Sequence, residues 1–484
     1  MRKVTIDPVT RLEGHGKVEI FVNDAGEVEA AYFQVPELRG FEKFCEGRPV
    51  EELPRITPRI CGVCPGAHHI ASTKAVDGVF GVTPPPAGRK LRELFYMAHF
   101  IHSHIAHFYA LAAPDFVLGP DSDPALRNVL GVVGKVGLEA GAEVIKHRAY
   151  AQEIQSLLAA RATNPVCGLP GGMARGLTEE ERQSVEAKAA STVEFAKFSL
   201  KLFKEAVLGN PGYVDLIRSE PYQLQTYDMA LVDDQGKVTF YDGAVKVTDP
   251  AGEPFVRFTG REYLDHLEEH VMDWTYLKFP VLKRVGWKGL TEGSASGIYR
   301  VGPLARLNVA TCMATPAAQE AYEEFTATLG KPCTATLAFH WARLIELLYA
   351  AERLLELARD PAITSTEIRT LPTAVVGEGV GIIEAPRGTL IHHYKTDSKG
   401  LVTGVNLVVA TTNNYGAIDL SVAKAAKGLI HGAEINQGVL NQVEMAMRAY
   451  DPCFGCATHA LPGQMPLTVV VRNGAGVELG RVSR

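Results

Sequence analysis

The chain has 484 residues, 46% hydrophobic and 21% charged, the composition of a globular protein with a large buried core. A net charge of −6 argues against nucleic acid or an anionic membrane surface as partner. No apolar run reaches the ~20 residues of a membrane span. The opening MRKVTIDPVTRLEGHGKVEI lacks the apolar core of an export signal, so a cytoplasmic protein is expected.

Lys17–Val22 alternates polar and apolar residues, NDAGE at 23–27 turns the chain, and 28–35 returns, which predicts a β-hairpin. The proline-punctuated PRITPRICGVCPGAHH (54–69) leads into a helix expected from about Pro65 to Val79. Apolar spacing predicts a long helix over 89–113 and another over 136–160. Thr178 followed by three glutamates is a capping-box pattern, opening an amphipathic helix that reaches about 207. The turn signals DDQG, YDG and DPAG divide 226–258 into a β-meander. Helix is expected over 335–359, β structure over 379–412 and helices over 417–449. After Asp451 a hairpin is expected within MPLTVVVRNGAGVELGRVSR. No repeat, low-complexity tract or linker interrupts the chain. The expected fold is helix-rich α+β, a single large body with a long-helix core and peripheral β-hairpins and small sheets.

Eight cysteines in a chain this long do not make a disulfide framework. Cys45, Cys167, Cys312 and Cys333 stand singly, as small buried hydrophobes do. The other four form two Cys-x-x-Cys pairs. Pro65 suits the first position of a helix, which places Cys64 of Cys61-Gly-Val-Cys64 at a helix N-terminus, where the dipole favours thiolate. His68 follows four residues later. In DPCFGCATH (451–459), Asp451 can cap a helix and Pro452 can open it, putting Cys453 and Cys456 on one face with His459 three residues on. A redox dithiol normally follows a strand in a βαβ unit, which is missing here. A zinc ribbon is a compact local unit, whereas nearly the whole chain separates these pairs. Two pairs clamped by both ends of a large body point to one buried metal centre. Four sulfurs suit zinc, iron or nickel, and spacing does not choose among them. Histidines 99, 102, 104 and 107 crowd one predicted helix, where core or interface packing is favoured over a metal site.

RICGVCPGAHH (59–69) and DPCFGCATH (451–459) closely resemble the two signature motifs of nickel–iron hydrogenase large subunits. DPVTRLEGHGK (7–17), LRGFEKF (38–44), YRVGPLARLNV (299–309), EAPRGTLIHHY (384–394) and NLVVATTNN (406–414) resemble further blocks of that family, in its order. The resemblance spans essentially the whole chain. It implies a catalytic subunit that reversibly splits dihydrogen and passes electrons to an iron–sulfur small subunit. Cys61 and Cys453 would be terminal on nickel, with Cys64 and Cys456 bridging to an iron that carries carbonyl and cyanide ligands. Glu13 matches the family's proton-relay glutamate, taking a proton from a terminal thiolate, here Cys453. Arg387 matches the arginine over the metal pair; its plain alternative is an ion pair with Asp451. Thr411 and its neighbour Ala410 match a position beside a cyanide. Glu42, His459 and the carbonyl of Leu407 match the ligands of a second ion, magnesium or another divalent cation. His68 would hydrogen-bond near a bridging sulfur. Ser103 stands where respiratory members carry an aspartate, which indicates the cytosolic, cofactor-coupled branch.

The resemblance also implies that a maturation endopeptidase cuts after His459. Residues 1–459 would then be the large-subunit domain and 460–484 an extension removed on maturation. The chain has no GxGxxG after a strand and no further cysteine cluster. Electrons must therefore leave through partners: first the small subunit, then an NAD-diaphorase or heterodisulfide-reductase-type module. The competing reading is a non-catalytic structural subunit of a redox complex with a four-cysteine zinc site.

Overall fold

A computed structural model describes residues 2–432, 435–459, 468–472 and 478–483. Its centre is the helix Phe339–Arg359, buried on every side from Phe339 to Ala351 and packed between Glu179–Phe203 and Pro86–Ala106. A helix buried all round, here including Arg343 and Glu346, is stable only when other elements surround it. Glu179–Phe203 is instead amphipathic, burying Val185, Ala189, Val193, Ala196 and Leu200 and turning its charges outward. Its expected capping box is present: the Glu181 N–H donates to Thr178 Oγ1 at 3.2 Å, and the Thr178 N–H donates to Glu181 Oε2 at 2.9 Å.

The helix expected over 89–113 is α-helical over Pro86–Ala106 and then widens into the π-helical turn His107–Ala112. Apolar spacing does not distinguish the two windings. What marks the change is an outside partner: Arg11 Nη1 donates to the Leu111 carbonyl at 2.9 Å. Such π turns gather at functional sites.

The predicted N-terminal hairpin forms, as Lys17–Val22 and Val28–Gln34, and Arg2–Ile6 adds a third antiparallel strand. The meander is Tyr227–Val232, Ala244–Thr248 and Pro254–Phe258, with Tyr299–Arg300 joined parallel to its first strand. Glu378–Ala385, Gly388–Thr396 and Val402–Val408 form a third sheet. The helix Pro65–Val79 lies on this sheet at backbone contact. A Cβ on Gly381 would stand 2.0 Å from the Ala71 carbonyl oxygen, and one on Gly379 2.0 Å from that of Ala75. Those two glycines bring the first cysteine pair beside the turn that carries Arg387. In the tail, Thr468–Arg472 pairs antiparallel with Glu478–Ser483; their connection lies outside the described residues. No helix among the described residues is long and apolar enough to cross a membrane.

Candidate metal centre

Cys61 is extended, following the turn Thr57–Ile60, and Cys64 stands at the N-cap of Pro65–Val79 as expected. Cys453 is the N-cap of the short helix Phe454–Ala457, which contains Cys456. All four side chains are buried, and their sulfurs lie within 4.8 Å of one another. Cys61 Sγ and Cys453 Sγ are 2.9 Å apart. The N–H groups of Val63 and Cys64 both donate to Cys61 Sγ at 3.3 Å. Hydrogen bonds from Cys453, Cys456 and Cys61 hold the Cys64 thiol well below its usual range. Burial pushes Cys453 and Cys456 up. Four thiolates cannot share a buried site without a cation to offset their repulsion. The donor set fits a soft metal or metal pair.

Two other segments close over the sulfurs. Glu13 bridges to the second motif through its backbone, with the Phe454 N–H donating to the Glu13 carbonyl at 3.0 Å. Its carboxylate Oε2 accepts from Cys453 Sγ at 2.9 Å and from the Gly455 N–H at 3.0 Å. A Cβ at position 455 would lie 2.5 Å from Glu13 Oε1, so only glycine leaves room for this carboxylate. Arg387 donates from Nε to the Asp451 carbonyl at 2.6 Å and from Nη2 to Asp451 Oδ1 at 2.9 Å. Its Nη1 is buried with no hydrogen-bond partner, as are Asp451 Oδ2 and Ser103 Oγ. Arg306 fixes the turn beneath it, donating to the carbonyls of Ala385 (2.9 Å) and Pro386 (3.3 Å).

Asp451 is not the helix cap that its position suggested, and Pro452 does not open the helix. Asp451 adopts a left-handed backbone at φ 56°, and the helix begins only at Phe454. The competing bond is the pair with Arg387, where the carboxylate meets a full buried positive charge rather than backbone N–H groups. Thr411 Oγ1 accepts from the Cys453 N–H at 3.0 Å, and Ala410, buried beside it, opens the short helix Ala410–Asn413.

His68 lies beneath the first pair. Its Nδ1 meets His392 Nε2 at 3.1 Å, and its Nε2 is buried without a hydrogen-bond partner. His392 Nδ1 contacts the Tyr394 hydroxyl at 2.6 Å, and that hydroxyl donates to Ser72 Oγ at 2.8 Å. Sequence reasoning singled out neither His392 nor Tyr394. The signal was present: they sit at i and i+2 on one face of the strand Gly388–Thr396.

Glu42 and His459 also meet, with His459 Nδ1 and Glu42 Oε1 2.9 Å apart. Leu407 contributes its N–H to Glu42 Oε1 at 2.8 Å. Burial works against the Glu42 charge, but His459 and the Leu407 amide outweigh it and hold the carboxyl below its usual range. His459 Nε2 is left buried and unpartnered. A carboxylate and an imidazole are ligand types that suit a divalent ion; the nitrogen facing Glu42 is Nδ1 and the free one is Nε2.

The clustered histidines do not converge. His104 Nε2 meets Glu346 Oε2 at 3.0 Å, His107 Nε2 meets the Arg448 carbonyl at 3.0 Å, and His99 stacks on Tyr96. Burial lowers His99 to about 3 and both His102 and His104 to about 4, so they are neutral packing groups. Of the single cysteines, Cys45, Cys167 and Cys333 are buried and Cys312 partly so. Among the described residues the four paired cysteines are the one group of three or more His, Cys, Asp or Glu side chains placed to hold a metal.

Comparison with known proteins places this geometry. A family model described as nickel-dependent hydrogenase matches residues 39–122 and 178–459, and a HoxL-like model matches 3–38. An iron-sulfur subunit of the F420-non-reducing hydrogenase from Archaeoglobus profundus is 48% identical over 478 residues, covering 98% of each chain. The beta subunit of the NAD-reducing hydrogenase HoxS from Cupriavidus necator is 39% identical, again over 98% of each. The solved NAD+-reducing NiFe hydrogenase in its H2-reduced state superposes with a TM-score of 0.89 at 37% identity, over 95% of this chain and all of that one. A reduced, active Ni-Fe-Se hydrogenase from Desulfomicrobium baculatum superposes at 0.75 with 25% identity, over 95% of this chain and all of that one. Fold and site together define the large, catalytic subunit of a hydrogenase. The chain belongs to the nickel-dependent hydrogenase family, and its reaction is the splitting of dihydrogen at a nickel–iron centre.

Proposed function

We propose that Cys61 and Cys453 hold nickel alone, that Cys64 and Cys456 bridge nickel to an iron carrying carbonyl and cyanide ligands, and that Glu13 carries the proton of the reaction. The observation behind this is the 2.9 Å contact between Cys453 Sγ and Glu13 Oε2. Among the described residues, Cys453 is the one sulfur of the four with a carboxylate in hydrogen-bond reach. When bound, the metal pair supplies the soft, open coordination at which dihydrogen is polarised and split.

The protein's own groups do the rest. Cys453 Sγ hands its proton to Glu13, whose carboxylate the Gly455 N–H holds in place. Glu13 is only half-buried, so the same side chain spans from the buried sulfur to the protein surface. Asp451 orients Arg387 so that the unpaired Nη1 is a fixed donor over the centre. Thr411 fixes the Cys453 amide, Ala410 leaves room beside it, and His68 supports Cys64. Glu42, His459 and Leu407 hold the second ion, magnesium or another divalent cation.

Electrons leave to an iron–sulfur small subunit, since the described residues offer no second group of cysteines placed to hold a cluster. Relatives named for NAD reduction and for not reducing F420 support a cytoplasmic, cofactor-coupled complex with an NAD-diaphorase or heterodisulfide-reductase-type module. The family match ends at His459, which supports cleavage after that residue by a maturation endopeptidase and removal of 460–484. A structural zinc site would require neither Glu13 nor Arg387 and is disfavoured. Elemental analysis and infrared spectroscopy of the purified complex test the reading: nickel, iron and bands from bound carbonyl and cyanide are expected. Zinc alone, with no bands, rejects it.

A further inference from the structure

The two cysteine loops come from opposite ends of the chain, and no backbone hydrogen bond joins 57–64 to 451–459 among the described residues. Besides the contact of the Cys61 and Cys453 sulfurs, a side chain from outside both loops joins them. Arg39 Nη1 donates to the Ile60 carbonyl at 2.6 Å and to the Gly455 carbonyl at 3.1 Å. Arg39 Nη2 donates to the Arg59 carbonyl at 3.3 Å, and the Arg39 N–H donates to the Thr458 carbonyl at 2.7 Å. Ile60 immediately precedes Cys61, and Gly455 immediately precedes Cys456. The guanidinium lies 5.0 Å from the centroid of the Phe41 ring, and no ion pair draws it elsewhere among the described residues. All three of its side-chain hydrogen bonds go to the two loops.

We propose that Arg39 is a positioning residue that staples the two cysteine loops together and so sets the spacing of the first cysteine pair against the second. Fixing the peptide units at 60 and 455 fixes where each following cysteine begins. A planar fork is needed, because one rigid group must reach carbonyls on both loops; an ammonium presents a compact point charge on a flexible stem. The role rests on the reading of the four cysteines as ligands, but it acts on the protein before any metal is present.

Two measurements on the full-length chain test it, with thermal midpoint as the folding control. In protein expressed without nickel, diamide oxidation followed by peptide mapping reads the rate of Cys61–Cys453 disulfide formation. In loaded protein, transfer of nickel to a chelator reads retention. Arg39→Met is expected to slow the disulfide and to speed nickel release, each by about tenfold, the lower end of what outer hydrogen-bond partners contribute to metal affinity. Wild-type rates in both measurements would overturn the proposal. If the methionine variant does not fold, Arg39→Lys decides, with slowed disulfide formation expected and wild-type behaviour fatal. The disulfide needs no metal, so its outcome is separable from the ligand reading, which the nickel content of the unaltered protein tests.

Discussion

The sulfur of Cys453 lies 2.9 Å from Glu13 Oε2, although 440 positions separate the two residues. Among the described residues this contact sets Cys453 apart, as the one sulfur of the four with a carboxylate in hydrogen-bond reach.

Replacing Glu13 with Gln keeps the shape and removes the base. Exchange between dihydrogen and deuterated water is expected to fall by about 100-fold or more, the usual contribution of a positioned proton-transfer group. Nickel and iron content, measured on the same preparation, is expected to stay at wild-type levels. Unchanged exchange would remove Glu13 from the relay.

Arg387→Lys keeps the charge beside Asp451 but loses the fork. Lysine cannot hold the Asp451 carbonyl and carboxylate together while presenting a further donor. Turnover is expected to drop by about 100-fold with metals retained, a loss typical of one preorganised donor. Full activity would mean that the unpaired Nη1 has no part in the reaction.

Maturation is legible by mass. The nickel-loaded protein is expected to end at His459, whereas protein made without nickel keeps 460–484. Intact-mass spectrometry of active complex decides, and a retained extension in active enzyme would sink the cleavage reading.

Asp419 is expected to make stability depend on pH. Burial pushes its carboxyl up to about 7, against a 2.6 Å hydrogen bond from the Phe33 N–H. In the unfolded chain the same group loses its proton near ~3.9. Between these values the folded chain holds one proton more than the unfolded chain, so this group's contribution to stability falls as pH rises from about 4 to about 7, then stays level. Asp419→Asn is expected to match wild type at pH 4 and to exceed it at pH 8 by on the order of 4 kcal/mol. Thermal midpoints at pH 4, 6 and 8 check this, and a constant difference across that range would refute it.

Local chemistry explains why so much of the architecture was readable. Pro65–Val79, the Thr178 capping box and the paired strands around 378–408 each depend on neighbours a few residues away. Periodicity and capping report such neighbours directly. The π turn at His107–Ala112 is accompanied instead by a distant arginine donating to one of its carbonyls, a contact that no local spacing encodes.

The sequence by itself determined the ligand types, the two cysteine pairs and, through its motif blocks, the family. Those properties reside in residue identity and short spacing. Tertiary structure alone decided which sulfur faces Glu13, that Asp451 serves Arg387 rather than a helix, and that Arg39 spans both cysteine loops. Each of these is a hydrogen bond between segments separated by tens to hundreds of residues. Its existence depends on where close packing, such as that of Gly379 and Gly381 against Pro65–Val79, finally sets the backbone.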